Sequence, residues 1–316
     1  MPGTAVLTGA TGFIGRHLAA RLVDDGWRLR ILSRNSSAAA EVACSQAVIG
    51  SFEQKEKLEE LVRGADLVIH AAGAIKARGA AAYRRANAET TERLIEACAA
   101  TGTRPRFVLL STLAAREPRI SGYAASKAAG EAAAEARRAA LASLTVLRPP
   151  AVYGPGDRET LAFFKMLQRG WAVVPKAPEA RLSLIHVGDL VDCIAALAAS
   201  ETPPEGTFEA ADPSSEGYAW AEMVAAGEAA VGRKARRLVL PRPLAEVAGS
   251  AISALAALGG GAPMLSRDKA AELFHPDWVV RDRRLQRALD CPPTVGLVEG
   301  FAGAVAWYRD HGWLAK

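Results

Sequence analysis

The sequence predicts an α/β fold: a doubly wound parallel sheet with a smaller C-terminal lobe. Two observations carry this. The first half alternates short β-type runs with helical patterns, the signature of right-handed βαβ units. A glycine-rich loop, Thr8-Gly9-Ala10-Thr11-Gly12-Phe13-Ile14-Gly15, follows the first strand and opens the first helix.

Taken in order, strands are expected at 5–8, 28–32, 47–49, 67–71, 106–110 and 144–147. Helices are expected between them at 14–25, 54–63, 81–100 and 123–141. Continuous apolar runs such as Leu67-Val-Ile-His-Ala-Ala suit a sheet covered on both faces. After Pro149 proline and glycine become frequent and the βα order stops. The expected division is a dinucleotide-binding domain over 1–154. Residues 155–316 are expected to form mainly a substrate-binding lobe, with some segments returning to the first domain.

The chain has 316 residues, half of them hydrophobic, enough for a large core. Its formal charge is +5, from 39 basic and 34 acidic residues, and the basic residues are scattered. Without a block of like charge or aromatics interleaved with arginine, nucleic acid is not expected as a partner. Cys44, Cys98, Cys193 and Cys291 fit neither a metal-ligand spacing nor a disulfide framework, so reduced thiols in a cytoplasmic protein are expected. No leader is expected, because the N-terminus runs almost directly into the first strand. The longest apolar stretch, 244–262, carries Glu246, Ser250 and Ser253, so no stable membrane insertion is expected.

The glycines have separate tasks. Gly9 allows a tight turn, Gly12 a close approach of backbone to a pyrophosphate, and Gly15 close packing of helix on strand. The N–H groups and positive dipole end of the helix, at Thr11, Phe13 and Ile14, would face the phosphates. An acid at the end of the second strand would select NAD(H). The sequence there reads Ser33-Arg34-Asn35, and the Arg34 fork suits a 2′-phosphate, so NADP(H) is expected over NAD(H). Ala71, Ala72 and Gly73, after the fourth strand, complete the expected cofactor site.

Tyr123-Ala-Ala-Ser-Lys127 places a phenol and an ammonium on one helical face. A nearby ammonium favours tyrosinate and fits Tyr123 for proton exchange near neutral pH. The strand at 106–110 runs into Ser111-Thr112, hydroxyls able to hold a reacting oxygen. Asn87 falls in mid-helix, where its propensity is poor; a polar task and a plain exposed position are both open. His70, His186, His275 and His311 lack metal-ligand spacing, and no metal is expected.

With these motifs the chain resembles the extended short-chain dehydrogenase/reductases of the NAD-dependent epimerase/dehydratase family, whose fold is of the Rossmann type. The matching segments are TGATGFIG at 8–15, HAAG at 70–73, the Asn87 helix, the hydroxyl pair at 111–112 and YAASK at 123–127. LRPPAVYGPGD at 147–157 and SLIHVGDL at 183–190 also match. A tail with HPDW at 275–278 and WYRDHGW at 307–313 is similar to ketone-reducing members.

The resemblance implies Tyr123 as acid/base, Lys127 as its partner and holder of the nicotinamide ribose, and Thr112 as the catalytic hydroxyl with Ser111 beside it. It implies that Pro149 to Val152 border the nicotinamide, and that the protein is a homodimer. Two departures stand out: Ser51 follows Gly50 where the family often has Asp, and the stretch between Thr112 and Tyr123 is short. Leu113-Ala114 after Thr112 argues against dehydratase chemistry, and Ala151 removes an anchor typical of nucleotide-sugar epimerases. The expected function is reversible hydride transfer between NADP(H) and a mostly apolar carbonyl or secondary alcohol, a small-molecule substrate. The alternatives are a nucleotide-sugar epimerase and a non-catalytic NADPH-binding structural or sensor protein. For the apolar 244–258 segment, core packing, pocket lining and membrane or partner contact all remain open.

Overall fold

The computed structural model describes residues 3–249 and 267–315, and the chain divides into two compact units. The first comprises residues up to Arg148 together with Val191–Glu209 and Arg283–Cys291. The second comprises Pro149–Leu190, Ala210–Asp282 and Pro292–Lys316.

The first unit is built on a seven-stranded parallel sheet. Its strands are β1 (Thr4–Thr8), β2 (Arg28–Ser33), β3 (Gln46–Ile49), β4 (Leu67–His70), β5 (Arg106–Leu110) and β6 (Ser143–Arg148), with Gly206–Glu209 as a late edge strand. The spatial order is β3-β2-β1-β4-β5-β6 followed by Gly206–Glu209, so the direction of winding reverses between β1 and β4. Ligands of such sheets bind outside the carboxyl ends of the strands at that reversal.

Burial explains the apolar runs: Leu67, Val68 and Ile69 in β4 and Ala5, Val6 and Leu7 in β1 are all inaccessible. One layer of the core packs Leu58, Leu61 and Val62 from α3 (Lys55–Val62) and Leu94, Ile95 and Cys98 from the helix ending at Ala100 against Val6, Val68 and Phe107.

Two of the four expected helices form essentially as read, α1 (Phe13–Asp24) and α3; the one expected over 123–141 forms as α6 (Gly122–Ala136) but stops five residues short and gives way to a 3-10 turn at Arg138–Ala140. A short helix α2 (Ser36–Ala40), capped by the Asn35 carboxamide, was not anticipated. The helix expected over 81–100 is not one regular helix. It consists of α4 (Gly79–Arg84), a π-helical turn at Arg85–Glu89 and α5 (Thr90–Ala100). A π turn carries one extra residue, which the 3.6-residue periodicity of the sequence does not reveal.

In the second unit a parallel pair joins Ala151–Tyr153 to Leu184–His186. The core packs Phe164, Phe301, Tyr153 and Tyr308, with edge-to-face rings at Phe164–Phe301 and Tyr153–Phe301. The family-like motifs of this unit have structural tasks. Asp157 caps helix Glu159–Gln168 by accepting the Glu159 and Thr160 N–H groups, both at 2.9 Å, and its carbonyl accepts from the Tyr308 hydroxyl at 2.6 Å. Asp189 holds Thr294 and Val295 through their N–H groups. Trp307 stacks on His311 and meets Trp313 edge-on. Residues 242–249 are helical, with Leu244 and Val247 exposed and Ala245 buried; the rest of the 244–258 segment lies outside the described residues.

Candidate active site

The glycine loop leaves the carboxyl end of β1 as expected. Gly9 has φ +76°, and a Cβ there would lie 2.7 Å from the Ala72 nitrogen, so both conformation and space demand glycine. At Gly15 a Cβ would run into the Gly9 carbonyl, which is the close packing of α1 on the loop. Gly12 donates to that same carbonyl at 3.0 Å and caps α1 with extended backbone. The cradle, walled by Ala71 and Ala72 from the end of β4 and floored by the amino end of α1, fits a dinucleotide pyrophosphate.

Beneath it His70 is fully buried beside β1, its Nδ1 2.6 Å from the Thr8 hydroxyl. Burial, with a smaller push from Lys127, drives its imidazole down to about 3, so it is a neutral core residue. No cluster of metal ligands occurs among the described residues. At the end of β2 Ser33 is buried and donates to the Asn35 carbonyl, while Arg34 is exposed.

Asn87 is buried in the π turn. Its carboxamide pairs with the backbone of Ala74, accepting from the N–H at 2.8 Å and donating to the C=O at 3.1 Å, and it donates to the Ser126 hydroxyl at 2.9 Å. The exposed alternative is thereby corrected: the extra residue of the π turn rotates the carboxamide inward. A Cβ on Gly73 would lie 2.7 Å from Asn87 Oδ1 and 3.8 Å from Lys127 Nζ, so these three residues share one locus. Gly130 lets α6 approach the π turn, since a Cβ there would sit 2.7 Å from the Asn87 carbonyl.

Ser121 caps α6 by accepting the Ala124 N–H, which starts the helix so that Tyr123, Lys127 and Glu131 follow on one face. Tyr123 is half-buried against the Tyr83 ring, with centroids 6.0 Å apart. Lys127 is buried, and its ammonium donates to the Leu110 carbonyl at 2.6 Å, at the end of β5. Burial pushes this ammonium down to about 8, with the Glu131 carboxylate opposing the fall.

The two hydroxyls after β5 differ. Ser111 is buried and hydrogen-bonded to Glu131, which is also clasped by Arg148, whose Nε donates at 2.9 Å. Thr112 is half-exposed and accepts from the Ala114 N–H, capping a 3-10 turn at Leu113–Arg116. Sequence reasoning missed Glu131, Arg148 and Ser126. Glu131 had a readable signal, being four residues beyond Lys127 on the same face. Pro149 is buried and Val152 half-buried within the second unit, where Val152 pairs in register with Ile185.

A parallel sheet reversing between β1 and β4, a glycine cradle at that point and a Tyr–Lys helix beside it define an enzyme of the short-chain dehydrogenase/reductase class with a nicotinamide cofactor. A model of the NAD dependent epimerase/dehydratase family matches residues 5–211, and the chain belongs to that family. Among its relatives, a ceramide reductase of Caulobacter vibrioides is 39% identical over 319 aligned residues, covering 99% of this chain and 97% of the relative. A 4-hydroxy-2-methyl-3-oxo-4-farnesyl-3,4-dihydroquinoline-1-oxide ketoreductase of Stigmatella aurantiaca is 32% identical over 170 residues, covering 48% of this chain and 51% of the relative. The structure of MoeE5 in complex with UDP-glucuronic acid and NAD shares the fold, with a TM-score of 0.75 at 22% identity over 98% of this chain and 100% of that one.

Proposed function

We propose that the protein transfers hydride reversibly between NADP(H) and the carbonyl or secondary alcohol of a mostly apolar, lipid-like small molecule, with Tyr123 as the acid/base. The observation that carries the reading is Lys127: a buried ammonium on the Tyr123 face of α6, softened by burial, stabilises a neighbouring phenolate. The extensive likeness to a ceramide reductase supports an apolar substrate.

In this reading Gly9, Thr11, Gly12, Phe13, Ile14 and Gly15 hold the pyrophosphate, and Ser33, Arg34 and Asn35 hold the adenosine end. Ala71, Ala72, Gly73, Asn87, Pro149 and Val152 complete the cofactor contacts, and Lys127 also orients the nicotinamide ribose. The bound cofactor supplies or accepts the hydride. Tyr123 gives its phenolic proton to the substrate oxygen during reduction and recovers it during oxidation. Thr112, whose hydroxyl hydrogen is not used in its cap, donates to that oxygen and stabilises the charge growing there; Ser111, committed to Glu131, supports the wall behind it. The same reading takes the protein as a cytoplasmic homodimer whose second unit forms most of the substrate side.

The test is a panel of long-chain ketones, including ketone derivatives of ceramide, incubated with NADPH or NADH and followed by loss of nicotinamide absorbance at low protein concentration. NADPH-dependent reduction of the long-chain members supports the reading. Turnover of UDP-, GDP- or dTDP-sugars with none of the apolar ketones would replace it with an epimerase.

A further inference from the structure

We infer that the second unit carries a docking surface for an anionic lipid bilayer, centred on Trp171. The surface stands on its own observations; only its purpose, bringing a lipid to the site, rests on the function proposed above.

The surface is built on a parallel pair of strands, Trp171–Pro175 and Arg236–Leu240, in which Trp171 lies opposite Arg236 and Val173 opposite Leu238. Alternation along a strand puts these four side chains on one face. Trp171, Val173 and Leu238 are all exposed, Trp171 by half. Val239, although exposed, lies by the same alternation on the opposite face with Ala172 and Val174, and the chain then turns at Pro241 into helical residues 242–249, where Leu244 and Val247 are exposed one turn apart. Leaving Val239 aside, five of the ten exposed large hydrophobic residues among the described ones are Trp171, Val173, Leu238, Leu244 and Val247, a clustering that an ordinary solvated surface does not show. From Val247 to Ser266 the sequence carries no charge at all.

Charge gives the occupant. Lys165 and Arg169 line a depression of about 360 Å³ together with Trp171, Ala162 and Met166. The Arg233 guanidinium, which donates to the Gln168 carbonyl, lies at the turn before Trp171, and Arg236 begins the partner strand opposite Trp171. None of these four cations, Lys165, Arg169, Arg233 and Arg236, forms an ion pair among the described residues. An indole within a cationic ring is the composition that settles at a headgroup interface, apolar body inward and polar edge in water. A second copy of the chain fits poorly, because a two-fold contact would set these cations against themselves.

The full-length protein is tested by flotation with vesicles of phosphatidylcholine alone and with phosphatidylglycerol added. Binding is expected to the mixed vesicles, to weaken with salt, and to be far poorer on the neutral ones. Arg169→Glu with Arg236→Glu should lower partitioning by at least roughly 25-fold, about fivefold for each cation lost. Trp171→Ser should weaken binding at every salt concentration. Absence of binding to mixed vesicles at low salt overturns the proposal, as does binding that these variants leave unchanged. A concentration-dependent dimer abolished by Trp171→Ser, without vesicle binding, overturns it in favour of self-association. Reduction of a short-chain, freely dissolved ketone with NADPH separates the two readings. If it proceeds while no vesicle is bound, the docking surface fails and the proposed function stands. If vesicles bind while no carbonyl or alcohol is turned over, the function fails and the surface stands.

Discussion

At the scale of single residues the site is governed by where charge is allowed to lie. Lys127 keeps an ammonium in a dry place because the Leu110 carbonyl accepts from it and Glu131 lies four residues on. Tyr123→Phe is expected to lower kcat on the order of 10²–10⁴-fold while cofactor affinity, read by fluorescence titration, stays near normal. Lys127→Ala should damage both. Because Lys127 is held near 8, kcat/KM for reduction should fall as the Tyr123–Lys127 pair loses its proton above that pH. Glu131→Gln removes the charge that opposes the fall, so the alkaline limb should move to lower pH; a limb that stays in place would show that Glu131 does not act on the pair. Arg34 belongs to the same scale. Its replacement by alanine should weaken NADPH several-fold, roughly 1 kcal/mol for an exposed pair, and leave NADH nearly unaffected. Equal losses for both cofactors would remove Arg34 from 2′-phosphate recognition.

At the scale of elements, the decisive object is the π turn at Arg85–Glu89 with α6 pressed against it. Gly130 permits the approach and Asn87 uses it, tying the loop after β4 to Ser126 on α6. Gly130→Ala puts a methyl group 2.7 Å from the Asn87 carbonyl, so overpacking should cost about 1–3 kcal/mol in urea unfolding and loosen cofactor binding with it. The residues of this device were visible in the sequence, but its geometry was not. Asn87 stood out as a poor helix former, yet only a turn with one extra residue decides that it faces inward. Glu131 could have been placed by helical spacing from Lys127. Arg148 could not, because it comes from a different strand and meets Glu131 only once α6 has packed on the sheet.

At the scale of the whole molecule, burial of ionisable groups sets the response to pH. His70 titrates near 3 in the folded chain against an ordinary value of 6.5, so the unfolded chain binds the extra proton first. Stability should fall as pH drops from about 6.5 toward 3, and His70→Gln should flatten that loss in thermal melts. Lys127 acts at the other end. Its folded value near 8 lies below the ordinary 10.5, so its contribution should improve as pH rises between the two, and Lys127→Met should abolish that rise.

The sequence by itself determined the class of fold, the succession of strands along the first half and the cofactor cradle. Each of these rests on short-range rules: apolar runs make strands, Gly9 alone tolerates its φ, and the helix after it must present free N–H groups. It also determined the Tyr123–Lys127 face, because four residues make one helical turn. What only the tertiary structure decided was how distant side chains meet. It put the hydroxyl of Ser111 on Glu131 while leaving Thr112 to cap a turn. It brought 191–209 and 283–291 back into the first unit. It turned the aromatic tail, read as a mark of ketone reductases, into the packed core of the second unit, and left Trp171 and Leu238 outside it. Which apolar residues are buried depends on what the rest of the chain can cover, and that is a property of the assembled surface rather than of any local run.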